Sequence, residues 1–325
     1  MKRREFITLI SGAAVASPAC SFSTIAQSTV IPRIAIIGSL DQGAIDALKD
    51  GLRQFGFVDG ETIIIVGSPA SAASPEAVSK TVFNLISQKI DLLFASGALA
   101  GRIAKDATST IPIVCLTGDL VGAGLVESLA SPGGNVTGIS ILTAEASAKR
   151  LELLKQLVPA LKRVAAFYNV ADPTAPLSLK PIEAAATKLQ LTIEALGVRG
   201  ESDFSNAFAA AIEARAQAIA LTSNPLFDIA GNQIAELALR NRLATISFAD
   251  TFPKRGGLIS YGPVILVSYH RAAYFISRIL KGTRPADLPV EQPTKFSLGI
   301  NLNTARALDI QVPDILLASA DEVIE

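Results

Sequence analysis

Histidine occurs once in the 325 residues and cysteine twice, and each scarcity removes a class of chemistry. A histidine-rich zinc site, an Asp/Glu/His metal cluster and most Ser-His-Asp arrangements need an imidazole at the site. The one imidazole, His270, falls in Ser268-Tyr269-His270-Arg271-Ala272-Ala273-Tyr274-Phe275, whose helical pattern suits a half-exposed structural role. Cys20 belongs to the N-terminal segment and Cys115 stands alone in Ile113-Val114-Cys115-Leu116, so no internal disulfide is expected. A buried cysteine of that kind acts as a small, inert hydrophobe. None is needed as a staple, because a chain of this length buries about three quarters of its unfolded surface.

Net charge is missing as well. Lys and Arg number 29, and so do Asp and Glu. Without Lys2, Arg3, Arg4 and Glu5 the remainder carries 26 basic and 28 acidic residues, a net charge of −2. That balance argues against a nucleic-acid surface, which requires a basic face. Past residue 26 no apolar stretch reaches the length of about 18 residues that a membrane-spanning helix needs.

The first 26 residues are the most telling segment present. Lys2, Arg3 and Arg4 precede an apolar run from Phe6 to Ala19, followed by the small-residue exit Thr24-Ile25-Ala26. This is the layout of a secretory signal peptide, with a middle too short to span a bilayer. Arg3-Arg4-Glu5-Phe6-Ile7 also fits a twin-arginine signal in part, so Sec and twin-arginine export both stay open. Cys20 as a lipid anchor is disfavoured, since Ser17-Pro18-Ala19 lacks the bulky aliphatic residue of lipoprotein signals. A mature chain of 299 residues, beginning at Gln27 and working in the periplasm, is expected.

From Arg33 short apolar runs alternate with amphipathic segments. Arg33-Ile34-Ala35-Ile36-Ile37-Gly38 reads as a strand covered on both faces. Asp41 then caps a helix with Ala44, Ile45, Leu48, Leu52 and Phe55 on one side, stopped by Gly56. Thr62–Val66, Asp91–Ala95 and Ile113–Leu116 repeat the strand signal. A helix capped by Ser74, with Pro75 at its first position, and another over Leu99–Ala107 lie between them. After a helix over Ala144–Val158, a second series has strands at Arg163–Tyr168, Leu191–Leu196, Gln217–Leu221 and Ala244–Phe248. Helices near Ala175–Leu189, Asp203–Arg215 and Asp228–Asn241 separate these. Such alternation predicts an α/β protein of two doubly wound parallel-sheet lobes. Ser131-Pro132-Gly133-Gly134-Asn135 marks the end of the first series.

In open sheets of this kind, ligands bind beyond the carboxyl ends of the strands. The loops at those ends carry Ser39-Leu40, Ser96-Gly97, Thr117-Gly118-Asp119, Asn169 to Asp172, Thr222-Ser223-Asn224 and Ala249 to Phe252. Gly118, Gly122 and Gly124 match neither the dinucleotide fingerprint nor the lysine-bearing phosphate loop, and read as a loose turn. Asp119 has a second role open to it, as a helix cap. Asn169 and Asn224 are turn formers as readily as binders.

Several motifs together resemble one family from end to end. These are Arg3-Arg4-Glu5-Phe6-Ile7-Thr8-Leu9, Pro132 to Gly138, Ala148 to Leu154, Gly256 to Pro263, Pro293 to Phe296 and Ile300 to Leu308. They resemble the substrate-binding proteins of ABC transporters of the tryptophan/tyrosine-binding type. The resemblance implies a periplasmic-binding-protein fold of the first type, with two lobes joined by three crossings near Ile141–Ala144, Phe252–Gly256 and Pro293–Ser297. Lobe one would comprise residues 27–142 and 257–292, with helix Ser268–Lys281 returning to it. Lobe two would comprise 143–256 and 293–325. It also implies capture of a small molecule, an amino acid or related carboxylate, for an ABC permease in the inner membrane. The mature protein is expected to be a monomer with no cofactor and no enzymatic activity. Where many relatives carry Arg-Glu-Phe, this chain has Asp250-Thr251-Phe252, a cation exchanged for an anion.

The expected action is closure of both lobes on the ligand. Ser39, Leu40, Ser96, Gly97, Thr117 and Asp119 would face it from the first lobe. Asn169 and Asn224 would face it from the second, with Asp250 pairing an amino group. Tyr168, Phe227, Phe248, Phe252 and Tyr261 would wall an apolar portion, Phe248 being as well suited to the core. Two other readings compete. A periplasmic sensor presenting its ligand to a membrane receptor would use the same lobes and closure. A secreted hydrolase using Ser39 or Ser96 is disfavoured, because no Gly-x-Ser-x-Gly elbow is present and His270 is far away in sequence.

Overall fold

The computed structural model describes residues 31–67, 74–141 and 144–325; the expected signal peptide, with Cys20, lies outside them. The first sheet forms from β1 (Arg33–Gly38), β2 (Ile64–Val66), β3 (Leu92–Ser96), β4 (Ile113–Thr117) and β5 (Val136–Ser140). Its order is β2-β1-β3-β4-β5 and every pairing is parallel. The apolar runs are continuous because both faces are covered. Ile34 and Ile36 pack with Ala44, Leu48 and Leu52 of helix α1 (Gln42–Gln54). Ala35 and Ile37 point the other way, toward Val82 of α2 (Pro75–Ile86) and Ala104 of α3 (Ala98–Ala107). The caps fall where the sequence places them. Asp41 Oδ1 accepts from Ala44 N at 2.9 Å and Ser74 Oγ from Ala77 N at 3.3 Å.

The second lobe alternates in the same way. In chain order it runs α4 (Ala144–Leu157), β6 (Arg163–Asn169), α5 (Ala175–Lys188), β7 (Thr192–Val198) and α6 (Phe204–Glu213). Next come β8 (Ala218–Leu221), α7 (Pro225–Ile229), α8 (Gly231–Arg240), β9 (Ala244–Ser247) and β10 (Ile259–Pro263). Helix α9 (Ile265–Leu280) then packs on α1 in the first lobe, so the chain changes lobes at Val264. It returns through residues 292–295 to β11 (Phe296–Asn301), α10 (Leu302–Ala307), α11 (Asp314–Ser319) and β12 (Glu322–Ile324). The seven strands are ordered β12-β11-β10-β9-β8-β6-β7. All pair in parallel except β10 with β11. That reversal has a simple cause: β10 ends at the hinge and β11 starts there, so the two must run oppositely.

Three expectations are corrected. Val136–Ser140, inside the expected first lobe but given no strand, is the edge strand of the first sheet. The second crossing, expected at Phe252–Gly256, is at Val264 instead, because Ile259 and Ser260 pair with Ile246 and Ser247 in the second sheet. Residues 257–263, expected in lobe one, therefore belong to the second lobe, with Ile259–Pro263 in its sheet and Leu258 in its core. The third crossing falls at 292–295, after Glu291 pairs with β5 through Ser140 N to Glu291 O (2.9 Å) and Glu291 N to Gly138 O (3.0 Å).

Candidate functional site

The carboxyl ends of β1, β3, β6, β7 and β8 converge on a cleft of about 480 Å³ between the lobes. Its size is that of a small-molecule site. The first lobe contributes Gly38, Ser39, the start of α2 at Ser74 and Pro75, and Ser96 to Ala100. The second contributes Asn169 to Asp172, Arg199 and Asn224 to Leu226. A narrow inner chamber of about 20 Å³ shares Asp172, Asn224 and Pro225 with the cleft and adds Leu116, Thr117, Gly118, Ser223, Asp228, Phe248, Ile265 and Tyr269.

The first-lobe wall is shaped by backbone. Gly38 has φ +96°, and a Cβ there would sit 2.1 Å from the Ser96 carbonyl oxygen, so only glycine lets β1 turn beside β3. Ser96 Oγ donates to Ser39 O at 3.1 Å and lies 2.9 Å from the Tyr269 hydroxyl, which ties both loops to α9. Burial pushes the Tyr269 phenol above its ordinary range. Gly97, the N-cap of α3, has no side chain to bond the first N–H groups of that helix, which open toward the cleft.

The second-lobe wall is held by side chains. Asn224 Oδ1 accepts from Leu226 N (3.0 Å) and from Asn169 Nδ2 (3.3 Å), and Asn224 Nδ2 donates to Asp172 Oδ2 at 2.6 Å. Asp172 Oδ1 accepts from Thr174 N and Thr174 Oγ1 at 2.7 and 2.6 Å. Asn169 Oδ1 accepts from Ala171 N at 2.9 Å, so both asparagines form turns and line the cleft at once.

Among the described residues one ion pair joins the lobes. Arg255, anchored in the second lobe on the Asp228 carbonyl and 3.7 Å from its carboxylate, reaches Asp41 Oδ2 of the first lobe at 2.8 Å. Thr251 Oγ1 donates to Asp228 Oδ1 at 2.8 Å. Burial raises the pKa of Asp228, and Arg255 and Thr251 oppose that rise.

Of the residues singled out from sequence, the structure brings Ser39, Ser96, Gly97, Asn169 and Asn224 together at the cleft, with Thr117 in the inner chamber. Phe248 reaches that chamber as well, although only 3 % exposed. The others have different work. Leu40 packs in the core with α1, and Phe252, 1 % exposed, fills the core under α8. Phe227 is buried there too. Asp119 accepts from Gly122 N at 2.9 Å and so acts as a turn cap. Asp250 Oδ1 accepts from Ile265 N at 3.1 Å, the first N–H of α9, and sits at the hinge rather than at the cleft. Its pKa is raised, by burial above all. Tyr261 stacks on Phe296 at 5.8 Å, outside the cleft lining. Among the lining residues outside the candidate set are Ser74, Pro75 and Val78 at the start of α2, Asp172, whose loop was a candidate, and Arg199, whose loop was not. Arg199 follows β7, whose expected end at Leu196 stops short of Val198.

Among the described residues no three His, Cys, Asp or Glu side chains group to hold a metal ion. Cys115 is buried and free, and burial lifts its thiol to about 12. Among those residues, too, no helix is long and apolar enough to cross a membrane.

Comparison with known proteins bears on the same geometry. A tyrosine-binding protein of Clostridioides difficile strain R20291 is 28 % identical over 278 residues, 84 % of this chain and 78 % of that protein. A conserved domain protein of Vibrio cholerae has a crystal structure with TM-score 0.83 and 25 % identity, covering 90 % of this chain and 99 % of that one. The ABC domain of a Streptococcus pneumoniae protein in complex with L-Trp gives TM-score 0.82 at 22 % identity, with the same coverage. Two doubly wound parallel-sheet lobes are the architecture of the type I periplasmic-binding fold; of the three expected crossings, the first, at Ile141–Ala144, includes residues 142 and 143, which lie outside the described residues. The family model for ABC transporter substrate binding proteins matches residues 34–324, and this chain belongs to that family.

Proposed function

We propose that this protein is the exported solute-binding component of an ABC importer and that it captures an amino acid or related small carboxylate between its lobes. The observation that carries the reading is the cleft itself. It is built at strand carboxyl ends from both lobes and is of ligand size, and the lobes that form it are joined by Arg255 and Asp41. Ser39, Ser96, Gly97, Asn169 and Asn224 would contact the ligand, with Thr117 behind them. The names of the similar proteins, one tyrosine-binding and one with bound L-Trp, support an amino acid as cargo. Handing the cargo to an inner-membrane permease, working as a monomer in the periplasm and performing no catalysis complete the proposal.

A thermal-shift panel of the standard L-amino acids on the purified protein tests it. A ligand that binds only the folded state at about 100 times its Kd stabilises it by about 2.7 kcal/mol, a rise of several degrees. At least one amino acid is expected to do so; no shift from any of them would overturn the assignment.

A further inference from the structure

Buried charges in proteins are ordinarily paired with opposite charges or hold metals, because leaving water uncompensated is costly. Among the described residues only two charged side chains fall in the buried class, Arg150 and Asp172. Arg150 lies outside the cleft lining and donates to the Tyr261 carbonyl and Ser147 Oγ. Asp172 is different. It is 8 % exposed and lines both the cleft and the inner chamber. Its donors, Thr174 N, Thr174 Oγ1 and Asn224 Nδ2, are all neutral. No Lys, Arg or His of the described residues forms an ion pair with it, whereas neighbouring Asp228 has Arg255.

We infer that Asp172 is the residue that selects for a primary ammonium in the ligand, the counter-charge coming from the guest. The three neutral donors fix the carboxylate's orientation and leave acceptor capacity on Oδ2, which receives a single bond from Asn224. An ammonium held there sits where the cleft narrows into the chamber, which is too small for a ligand side chain and so leaves the rest of the ligand in the cleft, toward Arg199. This rests on the proposed amino-acid function and deepens it: the ammonium, not only the carboxylate, decides what binds. It also moves the amine-reading role from Asp250, which is committed to the hinge helix, to a residue three positions after Asn169.

Calorimetric titration with matched pairs tests it: L-tyrosine against 3-(4-hydroxyphenyl)propionate, L-tryptophan against 3-(indol-3-yl)propionate, and L-leucine against 4-methylpentanoate. With the wild-type protein, the amine of any binding pair is expected to bind on the order of 100-fold more tightly than its deaminated partner, the usual scale for losing one half of a buried charge pair. In Asp172→Asn that gap should shrink to about tenfold or less, mainly by loss of affinity for the amine. Asp172→Glu keeps the charge but displaces it, and serves if the Asn variant melts early. It should weaken the amine about tenfold and leave its deaminated partner unaltered, so the gap narrows there too. Equal binding of both pair members by the wild type, or an unchanged gap in both variants, overturns the inference. Binding of deaminated acids alone would do the same while leaving a carboxylate binder standing. Silence from every pair and every amino acid would instead overturn the functional reading on which it rests.

Discussion

On the first-lobe side the cleft meets hydroxyls and backbone, at Ser39, Ser74, Ser96 and around Gly38 and Gly97. On the second-lobe side it meets amides and charges, at Asn169, Asp172, Arg199 and Asn224. The difference follows from how each wall is fixed. Close approach of β1 and β3 leaves no room for a side chain at Gly38, so that wall is set by main chain. The second wall hangs from a network of side chains centred on Asn224, which can carry charge because neutral donors satisfy it. One wall is therefore set by backbone shape and the other by side-chain amides and charges.

Substitutions can break or sharpen this contrast. The largest effect is expected from Phe252→Ala. Phe252 belongs to the second lobe's core, so its loss should cost about 4 kcal/mol of stability in urea unfolding. A change of under about 1 kcal/mol, with a loss of ligand affinity, would place it in the cleft wall after all. Next comes Arg255→Ala, which cuts the tie to Asp41 and strips Asp228 of its cation. A loss of about 2 kcal/mol is expected. The panel amino acid that binds should also weaken by about tenfold, because the contact exists only with the lobes together. Unaltered affinity would show that the bridge does not favour closure.

The smallest effect is expected from Asp250→Asn. The amide oxygen can still accept from Ile265 N, and the residue lies outside the cleft lining, so affinity should change less than about twofold, well under the 1.4 kcal/mol of a tenfold change. The pH dependence should change more clearly. Burial raises the folded-state pKa of Asp250, so its contribution is fully present below the unfolded carboxylate range near about 4 and is lost as pH rises through the folded value. Removing the carboxyl should flatten the decline of stability from about pH 4 upward, read from urea midpoints along that range. Asp228, shifted in the same direction, keeps part of the slope.

Much of the architecture was legible because strands covered on both faces must be apolar throughout, as in Arg33–Gly38 and Arg163–Asn169. Helix starts at Asp41 and Ser74 were legible from capping chemistry alone. The sheet edges and the returning strands were harder. Val136-Thr137-Gly138-Ile139-Ser140 and Ile259-Ser260-Tyr261-Gly262-Pro263 carry small and polar residues, so nothing local distinguishes them from loop. At the cleft, loops were predictable as places, but the direction of each side chain was not. Asp172 and Asp250 both sit in strand-following loops, and only packing turns one to the cleft and the other to a helix start. Arg199 follows an edge strand with an exposed outer face, where the apolar signal fades before the strand ends.

The bond from Ile265 N to Asp250 has a mechanical consequence. A sixteen-residue rod clamped along α1 in one half of the molecule has its leading end gripped by a carboxylate of the other half. At this crossing, one of three, the connection between β10 and α9 is a single residue, Val264, with no slack on either side. Under the proposed closure of the lobes, that crossing would act as a pivot and not as a loose strap.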